Sequence, residues 1–151
     1  MGGIGQNSKA PLHSNTTGGY NVAVGNQSLA TNVSGDYNTA IGYQSLYLNT
    51  ADNNVSVGLN SMYNKSTGTE NVSVGTNTMD SNTTGSYNTA VGRDALGGNT
   101  TASDNSAFGR EALKNNTTGA SNTAVGREAM VSNTTASNNT ALDRDWETAV
   151  L

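Results

Sequence analysis

The sequence predicts an all-β chain, a parallel β-solenoid (β-roll) of 17-residue coils, and three observations carry that expectation. A 17-residue motif recurs along nearly the whole length. Each copy holds one short run with the period-two alternation of a strand, closed by glycine. The composition is too polar for a single packed core and too weakly charged to demand disorder.

The period comes first, because missing a repeat misassigns everything else. Units open at Asn21, Asn38, Asn54, Asn71, Asn88, Asn105, Asn122 and Asn139, spaced by 17 residues except for the 16 between Asn38 and Asn54. With the opening Asn as position 1, position 5 is Gly25, Gly42, Gly58, Gly75, Gly92, Gly109 and Gly126, and Asp143 breaks the series. Position 9 is Leu29, Leu46, Met62, Met79, Leu96, Leu113 and Met130. The organisation read from this is a degenerate partial repeat over 1–20, a repeat array over 21–142 and an irregular tail over 143–151. In the first part, Leu12 to Tyr20 matches the second half of a unit and Ile4-Gly5 resembles a worn Val-Gly step. The tail holds Trp146, the one tryptophan, and reads as a cap.

Composition sets the alternatives. Of the 151 residues 33% are hydrophobic and 12% charged, against close to half and about a quarter in an ordinary domain. Low hydrophobicity with high net charge would indicate disorder. The net charge is only −4, so a repeat fold whose polar residues form ladders fits as well, and the period decides for it.

Within a unit, Val22-Ala23-Val24, Val55-Ser56-Val57 and Val72-Ser73-Val74 alternate large, small, large, which suits a short strand of β-branched residues. The following glycine ends it by adopting a backbone angle that other residues tolerate poorly. A second segment carries a small residue and then Leu or Met, as in Ala112-Leu113. Only about five residues separate the glycine from the next turn, too few for a stable isolated helix, so strand or extended coil is expected there. Asn-Thr-Thr-Gly or Asn-Thr-Thr-Ala makes the return turn, with Asn able to bond its own backbone.

Stacked at ~4.8 Å, eight coils make a rod of roughly 38 Å. Like positions then form ladders: Asn at position 1, bonding to itself between coils, Val, Ile or Phe at position 4, and Leu or Met at position 9. Two large apolar side chains per coil, worth ~1.5–3 kcal/mol each, make a thin core against ~1–2 kcal/mol of backbone entropy per ordered residue. Burial against other copies would supply the rest. The small residues at positions 3 and 8 (Ala90 and Ala95, Ala107 and Ala112, Ala124 and Ala129) leave room for close approach, so a homo-oligomer is expected.

At Asn88-Thr-Ala-Val-Gly92, repeated as Asn38-Thr-Ala-Ile-Gly42 and Asn122-Thr-Ala-Val-Gly126, the sequence resembles the head repeats of YadA-type trimeric autotransporter adhesins. It is similar also to Asn-Thr-Ala-Ile-Gly…Asn-Thr-Thr-Gly repeats of bacterial and phage tail-fibre-like proteins. The likeness spans Leu12 to about Leu142. It implies a left-handed roll, a homotrimer, an extended fibre at the cell surface or on a virion, an extracellular location and adhesion to a host-surface receptor or glycan. The repeat is longer than the adhesin one, and no heptad stalk, anchor barrel or chaperone domain accompanies it.

Chemistry finds little material. The seven Lys and Arg against eleven Asp and Glu offer no clustered basic face for nucleic acid. No cysteine means no disulfide, thiolate or Cys-based zinc site. His13, the one histidine, lacks partners for a Ser-His-Asp or two-His arrangement and reads as an ordinary surface residue. Asp52-Asn53-Asn54 lacks the distal Glu of a calcium loop. No catalytic, cofactor-binding or metal-binding residue is assigned, no enzyme is expected, and the ligand-binding residues are unknown. No charged-then-apolar leader opens the chain and no stretch approaches the roughly 20 apolar residues of a membrane span, so no membrane insertion is expected; the chain reads as soluble and as part of something longer.

Three surface features remain. Arg93-Asp94, Arg110-Glu111, Arg127-Glu128 and Arg144-Asp145 place Arg and acid rows in the C-terminal half only. They read as a solvated face or as pairing between chains that sets register. Tyr20, Tyr37 and Tyr87 precede the opening Asn, and Tyr43, Tyr47 and Tyr63 cluster in the second and third coils; they suit sugar stacking or packing over the neighbouring coil. Asn-x-Thr/Ser triplets arise by default from the turn motif. The alternative function is an ice-binding solenoid using Thr and Asn ladders, with rows such as Thr84, Thr101, Thr118 and Thr135, although adjacent Thr residues point to opposite faces.

Overall fold

The alternation large, small, large becomes a strand whose small central residue turns inward. In the computed structural model, which describes residues 10–64 and 66–142, eight three-residue strands recur at the repeat interval. They are β1 (Val22–Val24), β2 (Thr39–Ile41), β3 (Val55–Val57), β4 (Val72–Val74), β5 (Thr89–Val91), β6 (Ser106–Phe108), β7 (Thr123–Val125) and β8 (Thr140–Leu142). They form one parallel sheet in chain order. Each position pairs with its equivalent one coil on, as Ala23 with Ala40 and Val91 with Phe108. The chain is therefore a parallel β-solenoid; coils 1 to 8 are numbered by their strands. Ile4-Gly5, Lys65, Asp143, the Arg144-Asp145 pair and Trp146 lie outside the described residues.

The interior differs from the expectation of two large apolar ladders. Leu29, Leu46, Met62, Met79, Leu96 and Leu113 at position 9 are fully buried. Position 4 faces out instead: Val24 is 56% exposed, Phe108 41% and Leu142 66%. The pleat enforces this, since residues at positions 3 and 4 point to opposite sides. The small residues at positions 3 and 8 lie inside, where Ala40, Ala90, Ala95, Ala107, Ala112 and Ala124 are fully buried, so they do not supply an outer surface for chain approach. They let the sheet and the opposite wall close over one Leu or Met per coil.

That opposite wall is neither strand, extended coil nor helix. It is a run of turns containing residues with positive φ, and among the described residues 23 other than glycine have φ between 49 and 62°. They fall at positions 7, 9 and 17, Leu12 and Tyr20 being positions 9 and 17 of the partial N-terminal unit: Gln44, Leu46 and Tyr37 are typical. Such a conformation costs an L-residue ~1–2 kcal/mol. Most are held by their own N–H between coils. Leu46 N–H donates forward to Ser61 O (3.0 Å), whereas Gln44 N–H donates back to Asn26 O (3.0 Å) and Tyr37 N–H back to Gly19 O (3.1 Å). Position 5 is one of the tight points. Gly25, Gly42, Gly58, Gly75, Gly92, Gly109 and Gly126 have φ of 122 to 140°, and a Cβ on Gly25 would stand 2.6 Å from Gly42 O.

Candidate functional site

The buried asparagines build the scaffold. At position 1, Asn71 Oδ1 accepts from Asn88 N–H (3.0 Å) and Asn88 Nδ2 (3.2 Å), and the same step joins Asn88 to Asn105 and Asn122 to Asn139. This is the self-bonding ladder anticipated from the period. A second ladder runs at position 12, where Asn99 Nδ2 donates to Asn82 Oδ1 (3.0 Å) and Asn116 Nδ2 to Asn99 Oδ1 (3.3 Å). In several coils the two converge on one carbonyl: Gly85 O accepts from Asn71 Nδ2 and Asn82 Nδ2, both at 2.9 Å. Buried amides with this many partners are satisfied rather than poised for chemistry. In the glycosylation-type triplets headed by Asn32, Asn54, Asn71, Asn82, Asn99 and Asn116 the asparagine itself is fully buried.

The second ladder is interrupted at coils 2 and 3. The 16-residue spacing is absorbed in the return turn, so that Asn49 Nδ2 bonds Ala51 O two residues on where Asn32 Nδ2 bonds Gly35 O three on. In coil 3 the sequence carries Lys65 at position 12. Asn49 Oδ1, which would accept from an asparagine there, is buried without a hydrogen-bond partner.

Sequence-predicted site residues stay apart. His13 is exposed. Asp52 Oδ1 accepts from Asp36 N–H at 2.8 Å, which occupies it within the stack. Among the described residues no group of three or more His, Cys, Asp or Glu could hold a metal ion, and no helix is long and apolar enough to cross a membrane. Thr83 at position 13 spends its hydroxyl on Thr100 O (2.9 Å), while Thr84, Thr101, Thr118 and Thr135 at position 14 are exposed. One Thr of each pair thus joins a single-file outer row.

The tyrosines pack on one another across coils. Tyr20 and Tyr37 stack with centroids 4.9 Å apart and planes 2° apart, and Tyr47 and Tyr63 at 5.3 Å and 11°. The shared ring faces are thereby covered, which favours the packing reading of these four over sugar stacking.

The charged rows interlock. Arg110 Nη2 lies 2.8 Å from Glu111 Oε1, Arg93 reaches across one coil to Glu111 at 3.9 Å, and Lys114 Nζ stands 4.0 Å from Asp94 and 3.8 Å from Glu111. The hydrogen bond from Arg110 holds the Glu111 carboxyl below its usual value against the effect of burial, with the charges of Arg110 and Lys114 adding to it. Burial acts the other way on Asp80 and raises it, with the neighbouring Asp94 adding to the rise and Ser81 opposing. Asp94 and Glu111 sit low, Glu111 14% exposed, and the guanidiniums reach outward, Arg93 60% exposed.

The outer sheet face forms a further surface feature. Position 4 presents Val24, Ile41, Val57, Val74, Val91, Phe108, Val125 and Leu142 in one line, flanked at position 2 by Val or by Thr and Ser. None of these sixteen positions is charged. A search of the chain against protein-family models, curated proteins and solved structures returns no match.

Proposed function

We propose that the chain is a structural segment of a homotrimeric fibre, with no catalytic role, displayed outside the cell or on a virion and engaging a host-surface receptor or glycan. The observation that carries this reading is the outward apolar ladder of β1 to β8. An unbroken line of Val, Ile, Phe and Leu on the surface of one chain is the kind of patch that marks an interaction site. One interior Leu or Met per coil leaves the solenoid short of apolar burial, and covering the ladder with further copies supplies it. The trimeric count, the left-handed coil sense and the adhesive role follow the resemblance of Asn88-Thr-Ala-Val-Gly92 and its copies to adhesin and tail-fibre repeats. Sedimentation equilibrium tests the assembly: a mass three times that of the chain is expected, and a stable monomer overturns the reading.

The exposed row of Thr84, Thr101, Thr118 and Thr135 supports a second reading, an ice-binding surface. The row is interrupted in coil 2, where the return turn is one residue short, and carries Ser34 in coil 1. Thermal hysteresis in a freezing assay would rank this reading above the first.

A further inference from the structure

We infer that Tyr20 and Tyr37 form a site of oxidative cross-linking, where a one-electron oxidant joins the two rings as a dityrosine that staples the N-terminal partial unit to coil 1. Placement argues first. The backbone is tied between coils on both sides of the pair: Gly19 N–H donates to Asp36 Oδ1 at 2.6 Å, Tyr37 N–H to Gly19 O at 3.1 Å and Asn38 N–H to Asn21 Oδ1 at 2.8 Å. Both tyrosines hold the same backbone angle, φ 58° and 57°. Their rings therefore lie one coil step apart, 4.9 Å between centroids and 2° from parallel. Tyr20 is 80% exposed and Tyr37 57%, so a diffusing oxidant can reach both. Reactants held side by side couple as if in a unimolecular step.

The chemistry asks nothing more of the protein. Each phenol gives an electron to the oxidant and its O–H proton to water. The two phenoxyl radicals join through a carbon beside each hydroxyl-bearing carbon. Each joined carbon then loses its hydrogen as a proton, and each oxygen regains one. The net change is one C–C bond formed, two C–H bonds broken and two electrons passed on, which a peroxidase uses to reduce one hydrogen peroxide to water.

The other tyrosines supply the contrast. Tyr87 shares position 17, with φ 59° and 55% exposure, but its neighbours in that row are Glu70 and Asp104. A radical there meets no ring one step away. Tyr47 and Tyr63 stack less closely, at 5.3 Å and 11°, and are half-buried. With no cysteine in the chain, a tyrosine link supplies the covalent tie between coils that a disulfide would, and it does so next to the chain end, where fraying starts.

The full chain treated with a haem peroxidase and hydrogen peroxide tests this, read by dityrosine fluorescence, denaturing electrophoresis and peptide mass mapping. The expected product migrates as a single chain, and its linked peptide contains Tyr20 and Tyr37. Tyr20→Phe and Tyr37→Phe keep the stacked ring without the phenolic hydrogen, and each should lower that product by more than about tenfold. Tyr87→Phe should leave it unchanged. A single-chain link mapped to other tyrosines, fluorescence confined to species of several chains, or full yield from Tyr37→Phe overturns the inference. The linked chain should also unfold at a higher urea concentration than the untreated one, because the tie restricts the unfolded chain; an unchanged midpoint overturns the stapling role.

Discussion

Coils 3 and 4 follow the same path as coils 5 to 7 and fill it by different means. In the middle of the array positions 3 and 8 are hydroxyls. Ser45 Oγ donates to Ser56 Oγ at 2.8 Å, Ser56 Oγ to Ser61 O at 2.9 Å, Ser61 and Ser73 share a 2.7 Å bond, and Ser73 Oγ donates to Thr78 O at 3.1 Å. All five residues are fully buried. In coils 5 to 7 the same places hold Ala90, Ala95, Ala107, Ala112, Ala124 and Ala129, and the side chain between is Leu rather than Met except at Met130. The backbone ladders are common to both. One geometry therefore accepts either a bonded polar interior or an apolar one, provided volume is kept and every hydroxyl finds a partner. The second amide ladder is interrupted at coils 2 and 3 and continuous through coils 5 to 7, and the charged rows occur only there.

The sharpest way to break this comparison is to hollow each half. Leu96→Ala, flanked by Met79, Leu113 and alanines, should cost about 3–5 kcal/mol. Met62→Ala removes a more flexible side chain, whose ordering on folding costs more rotamer entropy, and should cost less, about 2–3 kcal/mol. Urea unfolding measures both, and equal losses would mean the two interiors relax alike. Repair of the weaker half comes next in size. Lys65→Asn restores the period of the second ladder and offers Asn49 Oδ1 a donor, so a gain of about 1 kcal/mol is expected in the same assay; a loss would show that the orphaned oxygen is not the weak point.

The smallest effect is the dependence on pH. Glu111 titrates below its ordinary value in the folded chain, so its contribution is complete above the unfolded-state value near 4.5 and is lost as pH falls through the lower folded value. Asp80 is raised, so its charge opposes folding above the raised value and the burden lifts on acidification. Glu111→Gln should flatten the fall in urea midpoint on acidification, and Asp80→Asn should steepen it. A wild-type acid limb unaltered by Glu111→Gln would remove the charged rows from the account of coils 5 to 7.

Much of this was legible in the repeat. The opening Asn positions, the glycine five places in and the Val-Ala-Val alternation locate all eight strands, and stacking like on like predicts the first amide ladder. The side that position 4 faces was misread, because large apolar residues were assigned inward by hydrophobicity when the pleat places the small position 3 there. The positive-φ residues were invisible: Leu46, Tyr37 and Gln44 are not residue types that announce that conformation, and only the bonds from neighbouring coils stabilise it. The second ladder had a signal in Asn32, Asn82, Asn99 and Asn116, which was absorbed into the turn. For the interaction surface, the uncharged alternation at positions 2 and 4 was visible, but its outward aim required the fold.

The column of glycines at position 5 works as a proofreading gate for growth of the gene. Any internal duplication or loss of one 17-residue module leaves the remaining ladders matched, so the rod can lengthen or shorten by whole steps. A module whose fifth residue has mutated cannot be overlaid by another, since its Cβ would meet the next backbone as one on Gly25 would meet Gly42 O at 2.6 Å. Drifted copies are therefore tolerated only where nothing must be laid on top of them.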